Sequence, residues 1–203
     1  LLKGILQVFG ERLTPDEVVS RILIKVRTQG DEALKEYTRL LDGAVPTSLE
    51  VPNTLWNRAY HDLPKGLRRA LTTLTKRAQA FHQASLPRSW MDYASGFGEQ
   101  YTPLNRVGIY IPGGTAVYPS TVLMTAIPAR IAGVKEIVLA TPSKGENGPN
   151  PIVLAAAHAA GVDRVYQIGG AQAIAAMAYG TESVPKVDMV CGPGNAFVTL
   201  AKR

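Results

Sequence analysis

Through residues 14–84, apolar side chains recur every three or four positions, which predicts helices with one buried stripe each. Thr14-Pro15-Asp16-Glu17 combines an N-cap hydroxyl, proline at the first helical position and a glutamate three residues after the cap. Val18, Val19, Ile22, Leu23 and Val26 follow on one face, and Gly30 closes the helix. Residues 31–43 read as a second helix, again stopped by glycine, and Thr54 to Asp62 as a short third. A longer helix spans 64–84, with Leu67, Leu71, Leu74, Ala78 and Phe81 on a stripe expected to be core. Residues 85–105 mix proline, glycine and aromatics, a connector with room for one short strand pair.

The pattern changes after residue 105. Short apolar runs are followed by glycine loops and then by Ala-rich segments, four times in series: 106–111, 136–140, 164–168 and 187–190 supply the runs. Glycine rises to 12 of 98 residues here, against 7 of 105 before, so the loops carry the change. Alternation of this kind predicts a parallel sheet with right-handed crossovers. The runs are apolar at successive positions, as strands covered on both faces require. The expected fold is therefore α/β: a Rossmann-like parallel sheet with helices on both faces over 106–203, preceded by a mainly helical region over 1–105. Pro128, inside the first Ala-rich segment, should kink that helix or delay its start.

Composition narrows the function classes. The 203 residues are 46% hydrophobic and 19% charged, enough to bury a core and too apolar for wholesale disorder. No run of about 18 apolar residues exists to cross a membrane. The stretch LLKGILQVFGERL lacks the features of a signal peptide. A single cysteine, Cys191, rules out an intrachain disulfide and a Cys-x-x-Cys metal site, and points to a reducing, cytoplasmic setting. The net charge of +6 divides evenly, with 14 basic and 11 acidic residues over 1–105 and 8 and 5 over 106–203. The densest basic stretch, RRALTTLTKR at 68–77, has no interleaved aromatics and reads as a solvated helix face, so no nucleic-acid partner is expected. The chain begins with Leu and ends on FVTLAKR with no stop signal, which reads as a segment of a longer protein.

In a parallel sheet every strand-to-helix loop emerges at the carboxyl edge. Three of these loops are glycine-rich: Pro112-Gly113-Gly114, Gly169-Gly170 and Gly192-Pro193-Gly194-Asn195. Each leads into a helix N-terminus, where free N–H groups and the helix dipole favour anions. Together they describe a nucleotide- or phosphate-binding crevice; taken singly, each glycine pair could serve only a tight turn. None completes a dinucleotide fingerprint, since Phe197 stands where the third glycine belongs, and no Walker A motif occurs. The polar candidates are Tyr110 near the end of the first strand, Gln172 after Gly-Gly, and Asn195 at the end of the last loop. Carboxamides suit ribose hydroxyls, adenine edges or a nicotinamide amide, although Asn195 would equally cap a helix and Tyr110 equally fill a core. Cys191 reads as a small apolar strand residue without a base. His61, His82 and His158 have no metal-ligand spacing. Glu136, Asp163, Glu182 and Asp188 are expected at, or on the way to, the edge opposite the crevice, and Glu146 in a loop, so none is placed as a base.

Three segments carry a family resemblance: RVGIYIPGGTAVYPSTVLM (106–124), IGGAQAIAAMAYGTESVPKVD (168–188) and GPGNAFVTLAKR (192–203) closely resemble the histidinol dehydrogenases. The match extends more weakly through the helical half, including the GDEAL segment at 30–34. The resemblance implies a cytoplasmic, homodimeric, zinc-dependent enzyme of histidine biosynthesis. Such an enzyme oxidises L-histidinol to L-histidine through the aldehyde with two NAD+ in turn. It assigns Tyr110, Gln172 and Asn195 as NAD contacts. The family's zinc ligands and its Glu–His pair fall beyond residue 203, so no catalytic or metal residue is assigned within this chain. Residues 1–203 alone are expected to hold no zinc and turn over no histidinol. A non-catalytic nucleotide-binding module remains the alternative.

Overall fold

The structure, a computed structural model, describes residues 9–43, 47–113, 117–143 and 148–203. The first element, α1, runs Pro15–Asp42. Its start is built as the sequence predicts: the Thr14 hydroxyl accepts from the Glu17 amide, and the Glu17 carboxylate accepts from the Thr14 amide at 2.7 Å. Gly30 breaks the helix with φ 52° and ψ −130°, so α1 is two helices joined at a kink rather than one. The Glu182 carboxylate occupies the space a side chain at Gly30 would fill and accepts the Asp31 amide at 2.8 Å. Asp31 in turn accepts from the Thr181 hydroxyl at 2.6 Å and from Ser183. The break is thus clasped to a segment 150 residues later.

Helices α2 (Asn53–His61) and α3 (Lys65–Ala84) follow, then an antiparallel hairpin of β1 (Trp90–Asp92) and β2 (Phe97–Glu99). Four parallel strands come next: β3 (Arg106–Tyr110), β4 (Glu136–Ala140), β5 (Arg164–Tyr166) and β6 (Met189–Cys191), ordered β5-β4-β3-β6. The crossovers are α4 (Pro119–Ile131), α5 (Pro151–Ala160) and α6 (Gly170–Tyr179), and α7 (Ala196–Ala201) closes the described chain. Pro128 falls in the last turn of α4, where it does not stop the helix.

Successive strand residues serve opposite cores. Tyr110, Val138, Ala140 and Tyr166 join α1, α6 and α7 on one face. Val107, Ile109, Ile137, Leu139 and Val165 join α2, α4 and α5 on the other. The first helical element therefore shares a core with the sheet, through Val26, Leu34 and Tyr37. The segment 49–51 also lines the β5 edge: the Val51 amide donates to the Val165 carbonyl at 2.8 Å and the Gln167 amide to Leu49 at 2.9 Å. That pairing protects an otherwise open sheet edge.

The amino ends of the strands are held by carboxylates. Asp188 accepts from the amides of Asn105 and Arg106, both at 2.9 Å, and Asp163 accepts from the Ile137 amide at 2.7 Å. Glu136 pairs with Arg106 at 2.5 Å. Asp188 fixes where β6 begins, two residues later than the apolar run suggested.

The α3 stripe corrects the sequence reading. Leu71 is buried and Ala78 partly so, but Leu67, Leu74 and Phe81 are exposed, the last at 68%. α3 is an outer-layer helix that touches α4 along a narrow strip. Thr75, its hydroxyl returned to the Leu71 carbonyl at 3.0 Å, takes one of the buried positions instead.

Leu34→Ala should destabilise the protein by about 2–5 kcal/mol, the cost of a cavity at a fully buried leucine. Denaturation followed by helical and by sheet probes should still give one transition; two separated transitions would show that α1 does not share the sheet's core.

Candidate functional site

The strand order places a switch between β3 and the edge strand β6. The chain moves from β3 outward to β4 and β5, then returns through α6 to lay β6 on the other side of β3. The loops after β3 and β6 therefore leave in opposite directions and open a crevice at the carboxyl edge, where doubly wound folds bind ligands.

Tyr110, the last residue of β3, stands at this point and is 4% exposed. Its phenolic oxygen accepts from the Gly170 amide at 3.1 Å, which ties the start of α6 to the end of β3. Gly192, after β6, crosses directly over the Tyr110 backbone. Its φ of +106° is left-handed, and a Cβ there would be driven into the Tyr110 carbonyl oxygen. Only glycine permits both. The loops after β5 and β6 therefore meet at Tyr110, the strand-end residue that leads into the first glycine loop. Tyr110 is a core residue and a site residue at once. Within the first loop, Gly114 lies outside the described residues, as does Glu146 in the loop after β4.

Gln172 lies in the first turn of α6, between the buried alanines Ala171 and Ala173, with no exposed surface. Its carboxamide lies against Gly170, where a Cβ would meet Oε1 at 2.5 Å. Neither Oε1 nor Nε2 has a hydrogen-bond partner among the described residues. Each such atom costs about 1–3 kcal/mol of desolvation when left unpaired. Asn195 contrasts with it. It is exposed, and its Oδ1 caps α7 by accepting from the Val198 amide at 3.1 Å. The capping reading of Asn195 thus holds for one half of its amide, while Nδ2 makes no bond among the described residues.

Cys191 is half-buried, and burial raises its thiol pKa against the opposing charge of Lys202. A thiol held protonated is a poor nucleophile. Lys202, which the sequence reading did not single out, donates to the Gly192 carbonyl and holds the last glycine loop. Burial lowers its pKa. Its spacing from Gly192 gives no signal that the two meet; only the short helix between them brings the ammonium back. The structure also joins two histidines that sequence spacing kept apart. His61 on α2 and His158 on α5 lie with ring centroids 6.1 Å apart, both against Tyr60. Burial, then the neighbouring His61, lowers the His158 pKa. Among the described residues no three His, Cys, Asp or Glu side chains cluster as metal ligands. No helix there is long and apolar enough to cross a membrane.

Fold and site together define a parallel α/β protein whose glycine loops and one unsatisfied carboxamide gather at a topological switch. The particular family follows from comparison. The family model for histidinol dehydrogenase matches residues 11–203, and the chain belongs to that family. A histidinol dehydrogenase of Parasynechococcus marenigrum is 50% identical over 188 residues, covering 91% of this chain and 43% of the relative. One from Wolinella succinogenes is 48% identical over 192 residues, covering 92% and 44%. The crystal structure of histidinol dehydrogenase from Elizabethkingia anophelis superposes with a TM-score of 0.88 at 32% identity, over all of this chain and 48% of that one. The chain therefore spans less than half the length of these relatives.

Tyr110→Phe should lower stability by about 1–3 kcal/mol, because the Gly170 amide loses its acceptor in a closed site. Urea denaturation of the variant and parent measures this, and equal midpoints would show that the Tyr110 phenol does not hold α6.

Proposed function

We propose that this chain supplies the NAD-binding part of an enzyme that oxidises L-histidinol to L-histidine through the aldehyde, in histidine biosynthesis. The observation that carries the reading is Gln172: a fully buried carboxamide with both atoms unpaired, set at the switch point beside Tyr110 and the Gly192 loop. A buried amide with an unused donor and an unused acceptor fits a ligand that offers both, as a nicotinamide or ribose does. The relatives' names support the reaction, and the convergent loops support a dinucleotide.

When bound, NAD+ would supply the acceptor for the hydride that leaves the alcohol carbon. The residues of this chain bind and orient. Tyr110 fixes the floor of the crevice by holding Gly170, and Gln172 offers its carboxamide beside that anchor. Asn195 holds the last loop through Oδ1 and keeps Nδ2 for a ligand. Lys202 restrains the same loop from beneath. The carboxylates Glu136, Asp163 and Asp188 are engaged with backbone amides or an arginine at the opposite edge, and Glu182 clasps Asp31. None of these four sits at the crevice to take a proton.

The family resemblance also implies zinc. The donors described here do not fit it, and no step is routed through a metal on this chain. On the same reading the full-length protein is a cytoplasmic homodimer without a nucleic-acid partner. The exposed apolar side chains Leu67, Leu74 and Phe81 on α3, with Trp90 and Met91 on the hairpin, support a covered face.

In the full-length protein, Gln172→Ala should weaken NAD+ binding by ~5–30-fold, the equivalent of one lost buried hydrogen bond. An unchanged NAD+ constant in steady-state kinetics would contradict the assignment. Cys191→Ala should keep most of kcat, since a half-buried thiol whose pKa is raised takes no part. A loss beyond ~100-fold with the fold intact is the scale of a chemical participant and would place Cys191 in the reaction.

A further inference from the structure

The basic stretch of α3 is not absorbed by the nucleotide crevice. Lys65, Arg68, Arg69 and Lys76 follow the three-, four- and seven-residue spacing of a single helix face. With Tyr60 and His61 at the end of α2 they line a groove of about 750 Å³. This groove lies in the outer helical layer, where α2 packs on α5 and α3 on α4. No carboxylate lines it, and Asp62, next to His61, is taken by Arg58 at 3.2 Å. Like charges at this spacing repel, and no carboxylate among the described residues forms an ion pair with them.

The charged groups of the groove are all of one sign. The Thr72 and Thr73 hydroxyls donate to the carbonyls of Arg68 and Arg69, at 2.8 and 2.9 Å. With the Thr72 hydrogen committed, the Tyr60 hydroxyl at 3.1 Å donates to Thr72. Beside the hydroxyl oxygens and the His61 ring, what remains open along α3 is ammonium and guanidinium. Arg68 is set in place by donating to the His61 carbonyl at 3.0 Å. A wall of charged donors, two of them guanidinium forks, calls for a multiply charged ligand that only accepts, and phosphate oxygens are that ligand. Tyr60 packs against His61 and His158, with centroids 5.4 and 4.9 Å away, so the groove does not present a series of rings on which successive bases would stack.

We infer that the groove between α2 and α3 binds a small phosphate-bearing anion, at a site separate from the dinucleotide crevice. The test uses the full-length protein, inorganic tripolyphosphate as probe, and calorimetry without NAD+. Saturable binding with one site per chain is expected. It should weaken at least ~tenfold in Arg69→Glu/Lys76→Glu, where charge-assisted contacts are lost from exposed side chains, and also as salt rises from about 50 to about 200 mM. NAD+ affinity should be unchanged in that variant, and tripolyphosphate affinity unchanged in Gln172→Ala, so failure here is distinguishable from failure of the nucleotide site. Circular dichroism of the double variant should match the parent. Absence of saturable binding, binding that survives the double substitution in a folded protein, or tighter binding of a single-stranded oligonucleotide than of tripolyphosphate would each overturn the inference.

Discussion

The structure depends on one constraint: β3, β4 and β5 must bury both faces, and the polar ends of the strands must still be satisfied. Burying both faces explains the uninterrupted apolar runs, which alternate residue by residue between two cores. It also explains the helical half, since α1 covers the layer of α6 and α7 while α2 and α3 cover that of α4 and α5. Satisfying the amino ends uses up the carboxylates. Asp188, Asp163 and Glu136 all hold strand starts, leaving the carboxyl edge free of acidic side chains apart from what the undescribed loops contribute. That edge is consequently a place of amides, glycines and one tyrosine, suited to holding a polar neutral or anionic ligand.

Coupling along the chain follows from the same frame. The Gly30 break would be costly alone, yet it is stabilised by Glu182 and Asp31, whose partners feed directly into β6. The β6 strand then sets Gly192 against Tyr110, and Tyr110 holds Gly170. A path of packed backbone thus runs from the amino-terminal helices to the crevice.

Most of this architecture was legible in the residues. The capping box at Thr14, the stop at Gly30 and the four strand-loop-helix units all follow from local rules that the fold respects. Tyr110, Gln172 and Asn195 were legible as candidates because loop position is a matter of topology. Their relations were not. Nothing in the sequence says that the Tyr110 hydroxyl meets Gly170, that Gln172 is left unpaired, or that His61 and His158 gather beside Tyr60, because these contacts depend on how the chain folds. The α3 stripe misled for the opposite reason. Periodicity reports that a face is apolar, not what covers it, and in this chain only Leu71 and Ala78 of that stripe find cover. Lys202 was hidden because a lysine near a chain end carries no local signal of the carbonyl it will reach.

The central claim is that the Gln172 carboxamide is held unpaired in the free protein for a bound dinucleotide. Its most direct test compares the folding stability of Gln172→Met with the parent, with and without NAD+. Replacing an unpaired buried amide with an apolar side chain of similar length should leave the free protein as stable or up to ~1–3 kcal/mol more stable. It should also remove most of the stabilisation that saturating NAD+ confers on the parent. A free protein destabilised by the substitution, with NAD+ stabilisation intact, would show that Gln172 is a satisfied structural residue and that the dinucleotide binds elsewhere.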